Sequence, residues 1–210
     1  MNILITGGAG FIGSHLAQYL LEEGHKVTAI DDLSTGSGDN IEHIADNRNF
    51  SFVHNSVMDE PMMHKLIDHC DLVYHLAAAV GVKYILEDPL KAIEINVRGT
   101  EIVLERAAQK GKQVLVASTS EVYGKNTSTV FPENADSVLG STMIFRWSYA
   151  CTKALDEFLA LAYHQKSSLP VVVVRFFNTV GPRQTGRYGM VIPRFISQAL
   201  HNLPITVYGD

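Results

Sequence analysis

Three stretches of this chain have residue types and spacings that could do chemistry. Tyr149-Ala150-Cys151-Thr152-Lys153 sets a phenol and an ammonium four residues apart, on one face of a helix. An ammonium beside a phenol favours the phenolate and lowers its pKa, so Tyr149 is expected to act as a base near neutral pH. The spacing alone fits an ordinary amphipathic helix equally well. Ser118-Thr119-Ser120-Glu121-Val122-Tyr123-Gly124 supplies hydroxyls and a carboxyl directly after an apolar run. Thr6-Gly7-Gly8-Ala9-Gly10-Phe11-Ile12-Gly13 follows the first apolar run and opens a helical pattern. Read from Gly7 it is G-x-x-G-x-x-G, and read from Gly8 it is G-x-G-x-x-G. Glycines there permit a tight turn and a close backbone approach to a pyrophosphate, and the following helix N-terminus offers N–H groups and partial positive charge.

The second apolar run ends at Ile30-Asp31-Asp32. A carboxylate at Asp31 suits the adenosine ribose hydroxyls and repels a 2′-phosphate, and no Arg or Lys follows in Leu33-Ser34-Thr35-Gly36. The expected cofactor is therefore NAD rather than NADP. Asp32 reads as a helix or turn cap.

These residues need a scaffold, and the chain alternates short β-rich runs with longer helical patterns. The runs are 3–6, 26–30, 50–54, 72–76, 113–117, 171–176 and 205–208, and the clearest helical spacings are 11–23, 89–110 and 149–165. Strands apolar on both faces, alternating with helices, predict an α/β fold with a doubly wound parallel sheet. In such sheets ligands bind at the carboxyl ends of the strands, where the glycine turn, the strand-end hydroxyls and the Tyr–Lys pair can converge. The 210 residues, 46% apolar and 19% charged, exclude a disordered chain or coiled coil. With 22 acidic and 17 basic residues, a large nucleic-acid footprint is disfavoured. No apolar run approaches a membrane span. Met1-Asn2 leads straight into a strand pattern, which reads as no signal peptide, and two cysteines suit a reducing cytoplasm. His64, His69 and Cys70 lack the spacing of a zinc site, so no metal is expected. Cys151 reads as a buried structural thiol.

Together with His75-Leu76-Ala77-Ala78, Asn96-Val97-Arg98-Gly99-Thr100 and Arg175-Phe176-Phe177-Asn178-Thr179-Val180-Gly181-Pro182, these segments make the chain resemble an extended short-chain dehydrogenase/reductase of the nucleotide-sugar epimerase/dehydratase/decarboxylase family. The resemblance implies a Rossmann domain over residues 1–180 and the beginning of a smaller substrate lobe over 181–210, continued by further chain in a longer enzyme. It implies that Tyr149 is the acid/base on a sugar hydroxyl. Lys153 would bind the nicotinamide ribose, and Thr119 would hydrogen-bond the reacting oxygen. Gly7, Gly10, Phe11, Ile12, Gly13, Asp31, Asp32, Ser34, Thr35 and Gly36 would contact the cofactor at one end, with Leu76, Ala77, Ala78, Phe176 and Val180 further along. Asn96 would shape the site, and Asn178 would hold the substrate's diphosphate, with Val191 near the nucleotide. Where many relatives place an aspartate on the adenine amine, this chain has Ser56 followed by Val57. Asp59 is either a substitute for that aspartate or the N-cap of the next helix.

The resemblance implies oxidation of the sugar at C4 to a 4-keto intermediate. Ser120-Glu121 then discriminates, because a carboxyl at position 121 can handle a proton at C5. S-T-S-E-V-Y-G and Arg146-Trp147-Ser148-Tyr149 are similar to segments of UDP-glucuronate decarboxylases, the leading reading. Arg146 either pairs with a substrate carboxylate or makes an ion pair with Glu133 or Asp136. A C4-epimerase of UDP-glucose or UDP-glucuronate and an NDP-sugar 4,6-dehydratase are the alternatives within the class, and an NAD-sensing regulator is the alternative outside it. The resemblance also implies a homodimer through the helices Pro89–Lys110 and Tyr149–Gln165.

Overall fold

The computed structural model describes residues 1–127, 130–186 and 190–207. Six strands form one sheet: β1 (Asn2–Thr6), β2 (Lys26–Asp31), β3 (Phe50–His54), β4 (Leu72–His75), β5 (Gln113–Thr119) and β6 (Val171–Phe176). Their order is β3-β2-β1-β4-β5-β6, and every pairing is parallel. The order reverses direction at β1, so the crevice beside it is the expected ligand site. Register aligns the strand ends that matter. Thr6 stands between Ile30 and His75, and Thr119 stands beside Phe176.

Alternation along β1 explains the two apolar layers. Ile3 and Ile5 pack on one face with Ala17, Leu21, Val27 and Phe50. Leu4 packs on the other with Val73, Ile67, Val103 and Val116. The helices that cover these faces are α1 (Phe11–Glu22), α2 (Asp39–Glu42), α3 (Glu60–Asp68), α4 (Val82–Glu87), α5 (Pro89–Lys110), α6 (Trp147–Ser167) and α7 (Val191–Leu200). Their ends are written in the sequence. Asp88 caps α5 by accepting from the Lys91 N–H, Pro89 occupies the first turn, and Gly111 closes the helix at φ +63°. Asp59 caps α3, accepting from Met62 N–H at 3.0 Å and from Asn55 Nδ2 at 2.8 Å. That settles its choice of role as the cap.

Two expectations are corrected. The stretch 205–207 does not join the sheet, and Tyr208 lies outside the described residues. The Thr206 N–H and hydroxyl are instead engaged by the Gln198 side chain of α7, at 3.3 and 2.9 Å. Cys151 is exposed, because α6 turns its Tyr149 side inward and position 151 outward. Residues after β6 return onto α1. Arg183, at φ +66°, donates to Gln18 Oε1 and Ser14 Oγ, and the Pro182 carbonyl accepts from His15. Among the described residues, no helix is long and apolar enough to cross a membrane, and no group of three or more His, Cys, Asp or Glu could hold a metal ion.

Candidate active site

A cleft of about 1120 Å³ runs along the carboxyl edge of the sheet, from the glycine turn to α6. That volume is slightly above the range of ordinary small-ligand sites. Gly7, Gly10, Phe11, Ile12, Gly13, Asp31, Asp32, Ser34, Thr35 and Gly36 line one end. Val57, Leu76, Ala77, Ala78, Phe176 and Val180 line it further along, and Thr119, Glu121, Arg146, Tyr149, Asn178 and Val191 complete it. Ser56, Asn96, Ser120 and Lys153 are not part of the lining.

The glycine turn fits a pyrophosphate. Gly7 sits at φ +70°, and a Cβ there would come 2.9 Å from the Ala77 nitrogen. A Cβ on Gly13 would come 2.2 Å from the Gly7 carbonyl oxygen. The helix that starts here has no side-chain cap and no acidic residue in its first turn, which leaves its leading amides and dipole to an anion. Asp31, at the tip of β2, accepts from Ala9 N–H and Leu33 N–H, and burial pushes its carboxyl above the usual range. Asp32 accepts from Ser34 N–H at 2.9 Å and so acts as the turn cap expected of it. Asn55 and Val57 reach the cleft where Ser56 does not, because the Ser56 hydroxyl turns back to accept from Met58 N–H.

At the other end, Thr119 Oγ1 accepts from Glu121 N–H at 3.2 Å, which leaves the hydroxyl proton to donate into the cleft. The same bond starts the 3₁₀ turn Ser120–Tyr123 that carries Glu121 inward. Burial pushes the Glu121 carboxyl up, and the Arg146 charge pulls it down. Arg146 makes no ion pair with Glu133 or Asp136. Its guanidinium lies over the Trp147 ring, 5.6 Å from the centroid. The Glu133 carbonyl takes a hydrogen bond from Arg175 instead.

Tyr149 departs from the expectation of a lowered pKa. Burial pushes its phenol up, and the charges of Glu121 and Asp156 push it further. Lys153 gives no relief, since it is 2% exposed and its Nζ donates to Asp156 Oδ2 at 2.8 Å. A four-carbon stem can reach one helical turn in either direction, and here it reaches toward Asp156. Asn96 acts from beneath the cleft: its Oδ1 accepts from Ala79 N–H and its Nδ2 donates to Thr152 Oγ1, joining the floor to α6. His75 is also buried there. Thr6 Oγ1 accepts from Ala77 N–H and so donates its own proton to His75 Nδ1, while Nε2–H donates to Thr100 Oγ1. Burial drops the His75 pKa to about 3.

Sequence reasoning missed two braces. Glu157 receives both arms of the Arg175 guanidinium and the Ser118 hydroxyl, tying α6 to the ends of β5 and β6. Asp156 engages Lys153. The acid–base spacing 153/156/157 was visible on the helix, but which charge met which partner depended on the strand ends behind it.

The sequence model of the NAD dependent epimerase/dehydratase family matches residues 3–210. The chain belongs to that family. It is 47% identical to the UDP-N-acetyl-alpha-D-glucosaminuronate decarboxylase of Bacillus cytotoxicus, over 99% of this chain and 64% of that protein. It is 38% identical to UDP-glucuronic acid decarboxylase 1 of Danio rerio, over 100% of this chain and 49% of that protein. The chain thus spans less than two-thirds of the length of these curated relatives. Among solved structures, it resembles UDP-glucuronic acid 4-epimerase from Bacillus cereus in complex with UDP-glucuronic acid and NAD. The TM-score is 0.89 and the identity 34%, over 100% of this chain and 66% of the other.

Proposed function

We propose that this chain is the NAD-binding part of a decarboxylase acting on a UDP-linked uronic acid, UDP-glucuronate or its 2-acetamido counterpart, through oxidation at C4. The observation that carries this reading is Glu121, a carboxyl in the cleft beside Tyr149, holding its proton more tightly than usual through burial, with Arg146 as the neighbouring cation. The decarboxylase names of the relatives at 47% and 38% identity support it.

The glycine turn, the α1 N-terminus and Asp31 would hold NAD, which supplies the hydride acceptor for C4 when bound. Tyr149 Oη takes the proton of the C4 hydroxyl, and the Thr119 hydroxyl donates to the same oxygen. A ketone at C4 is β to the C6 carboxylate, so carbon dioxide leaves and its bonding pair stays at C5. Glu121, carrying a proton, delivers it to C5, and the hydride and the proton held by Tyr149 then return to C4, so that the product is a UDP-pentose and the cofactor ends oxidised. Arg146 pairs with the substrate carboxylate. Asn178 and Val191 serve the diphosphate and nucleotide at the border between the 1–180 domain and the lobe that begins with 181–210. The enzyme works as a cytoplasmic homodimer through α5 and α6.

The test is to incubate protein carrying this chain with NAD and each UDP-uronate, and to measure carbon dioxide and the UDP-pentose. Stoichiometric release of both is expected. Epimerised uronate without carbon dioxide overturns the decarboxylase reading in favour of a C4-epimerase. NAD binding with no turnover of either sugar favours a regulator.

A further inference from the structure

Tyr149, Lys153 and Asp156 fall at i, i+4 and i+7 on α6, a single stripe of the helix. The middle residue is therefore one turn from a phenol on its amino side and one turn from a carboxylate on its carboxyl side. The Lys153 ammonium lies on the carboxylate side, with Nζ 2.8 Å from Asp156 Oδ2 and side chains 3% and 0% exposed. Burying two charges costs several kcal/mol per ion unless their remaining polar atoms are also satisfied. Asp156 falls short of that, since its Oδ1 is buried and has no hydrogen-bond partner. The Thr100 hydroxyl, which faces the Asp156 carboxyl from α5, directs its proton to the Asn96 carbonyl at 2.7 Å. The pair is thus held with one acceptor unfilled, one turn away from a cleft that Tyr149 lines and Lys153 does not.

An arrangement kept only to brace α6 has no need of it, because the Glu157–Arg175 pair already ties that helix to the sheet. We propose that Asp156 is a positioning residue that withholds Lys153 from the cleft, and that the ammonium swings from Asp156 to the Tyr149 side when the dinucleotide enters. This rests on the reading that NAD occupies the cleft. The swing needs only rotation of the lysine stem, and it converts Tyr149 from a phenol faced by Glu121 and Asp156 into one faced by a cation. In the withdrawn position Lys153 is faced by the carboxylates of Asp156 and Glu157 from its own helix and by neutral His75 from β4.

The test is a double-mutant cycle on NAD affinity, read by calorimetry with Asp156→Asn, Lys153→Met and the double variant. Asp156→Asn is expected to tighten NAD binding roughly three- to thirty-fold, and that gain should vanish in the Lys153→Met background. In cofactor-free protein, ultraviolet difference titration against Tyr149→Phe should show the Tyr149 phenolate forming at lower pH in Asp156→Asn, again only with Lys153 present. Asp156→Ser serves if Asp156→Asn does not fold. Equal responses in both backgrounds, or weaker NAD binding on loss of Asp156, overturn the withholding role alone. Failure of the unsubstituted protein to bind NAD overturns the cofactor reading, and the withholding role with it.

Discussion

The Asp31 carboxylate accepts a hydrogen bond from the Ala9 backbone N–H at 3.0 Å, so the tip of β2 holds the glycine turn of β1 in place. Its other oxygen accepts from Leu33 N–H at 2.8 Å. One side chain therefore shapes the turn and lines the cleft. Asp31→Ala is expected to weaken NAD binding about ten- to hundred-fold and to lower stability by about 1–3 kcal/mol, since two amides lose a charged acceptor. NADP should lose less than NAD, because the repulsion of a 2′-phosphate goes with the carboxylate. Calorimetric Kd values for both nucleotides check this, and an unchanged NAD-to-NADP ratio would count against it.

The turn itself can be tested by adding one carbon. Gly13→Ala places a Cβ against the Gly7 carbonyl, where only backbone can give way. NAD binding should become undetectable. The companion substitution Gly38→Ala meets open space at helical φ and ψ, and should leave both NAD affinity and melting temperature within error.

Much of this site was legible in the sequence because strand ends are marked by residue type. The alternation of β-rich runs with helical spacing fixes parallel strands, and parallel strands put Thr6, Asp31, His75, Thr119 and Phe176 at one edge. Tyr149 and Glu121 reach the cleft as expected because the helix and 3₁₀ turn that carry them begin at that edge. Lys153 did not follow, because local spacing says which helical face a side chain occupies but not which way a long stem leans. Asp156 carries no signal in the sequence, because nothing in its neighbours' identities announces that it is buried. The 205–207 stretch failed for the converse reason. Its β-branched residues suit a strand, yet the Gln198 side chain captures its backbone first.

His75 makes the stability of the fold fall with acid. Its folded pKa, about 3, lies below its ordinary value of 6.5, so the unfolded chain takes up a proton that the folded chain refuses. Above the ordinary value both states are neutral and nothing is lost. Below it, each pH unit should remove about 1.4 kcal/mol of unfolding free energy until the folded pKa is reached. Urea unfolding from about pH 7 to pH 5 should show this slope, and His75→Gln should flatten it. Equal slopes in the two proteins would assign the acid sensitivity elsewhere.

Helices α5 and α6 carry large apolar side chains that stay exposed. Leu90 is 66% exposed, Phe158 70% and Leu161 55%. Exposed large apolar side chains on these two helices are what the proposed dimer would cover. Phe158→Glu is expected to shift the protein from dimer to monomer in sedimentation velocity while leaving its circular dichroism unchanged. A monomeric unsubstituted protein at micromolar concentration would remove the dimer from the proposed function.

Tyr149 and Glu121 should separate the two halves of the reaction. Tyr149→Phe removes the group proposed to take the C4 proton but little of the cleft wall, so NAD affinity should hold while turnover falls about 10²- to 10⁴-fold. On the proposed reaction, Glu121→Gln leaves C4 oxidation in place and removes the acid for C5. It should still reduce NAD, seen as absorbance at the reduced nicotinamide band, while forming pentose more slowly by a similar factor. In the unsubstituted enzyme, burial keeps the Glu121 proton on to higher pH than an ordinary carboxyl, so pentose formation should decline as pH rises and that carboxyl ionises. In Glu121→Gln that limb of the profile should disappear. Its persistence would mean that another group protonates C5.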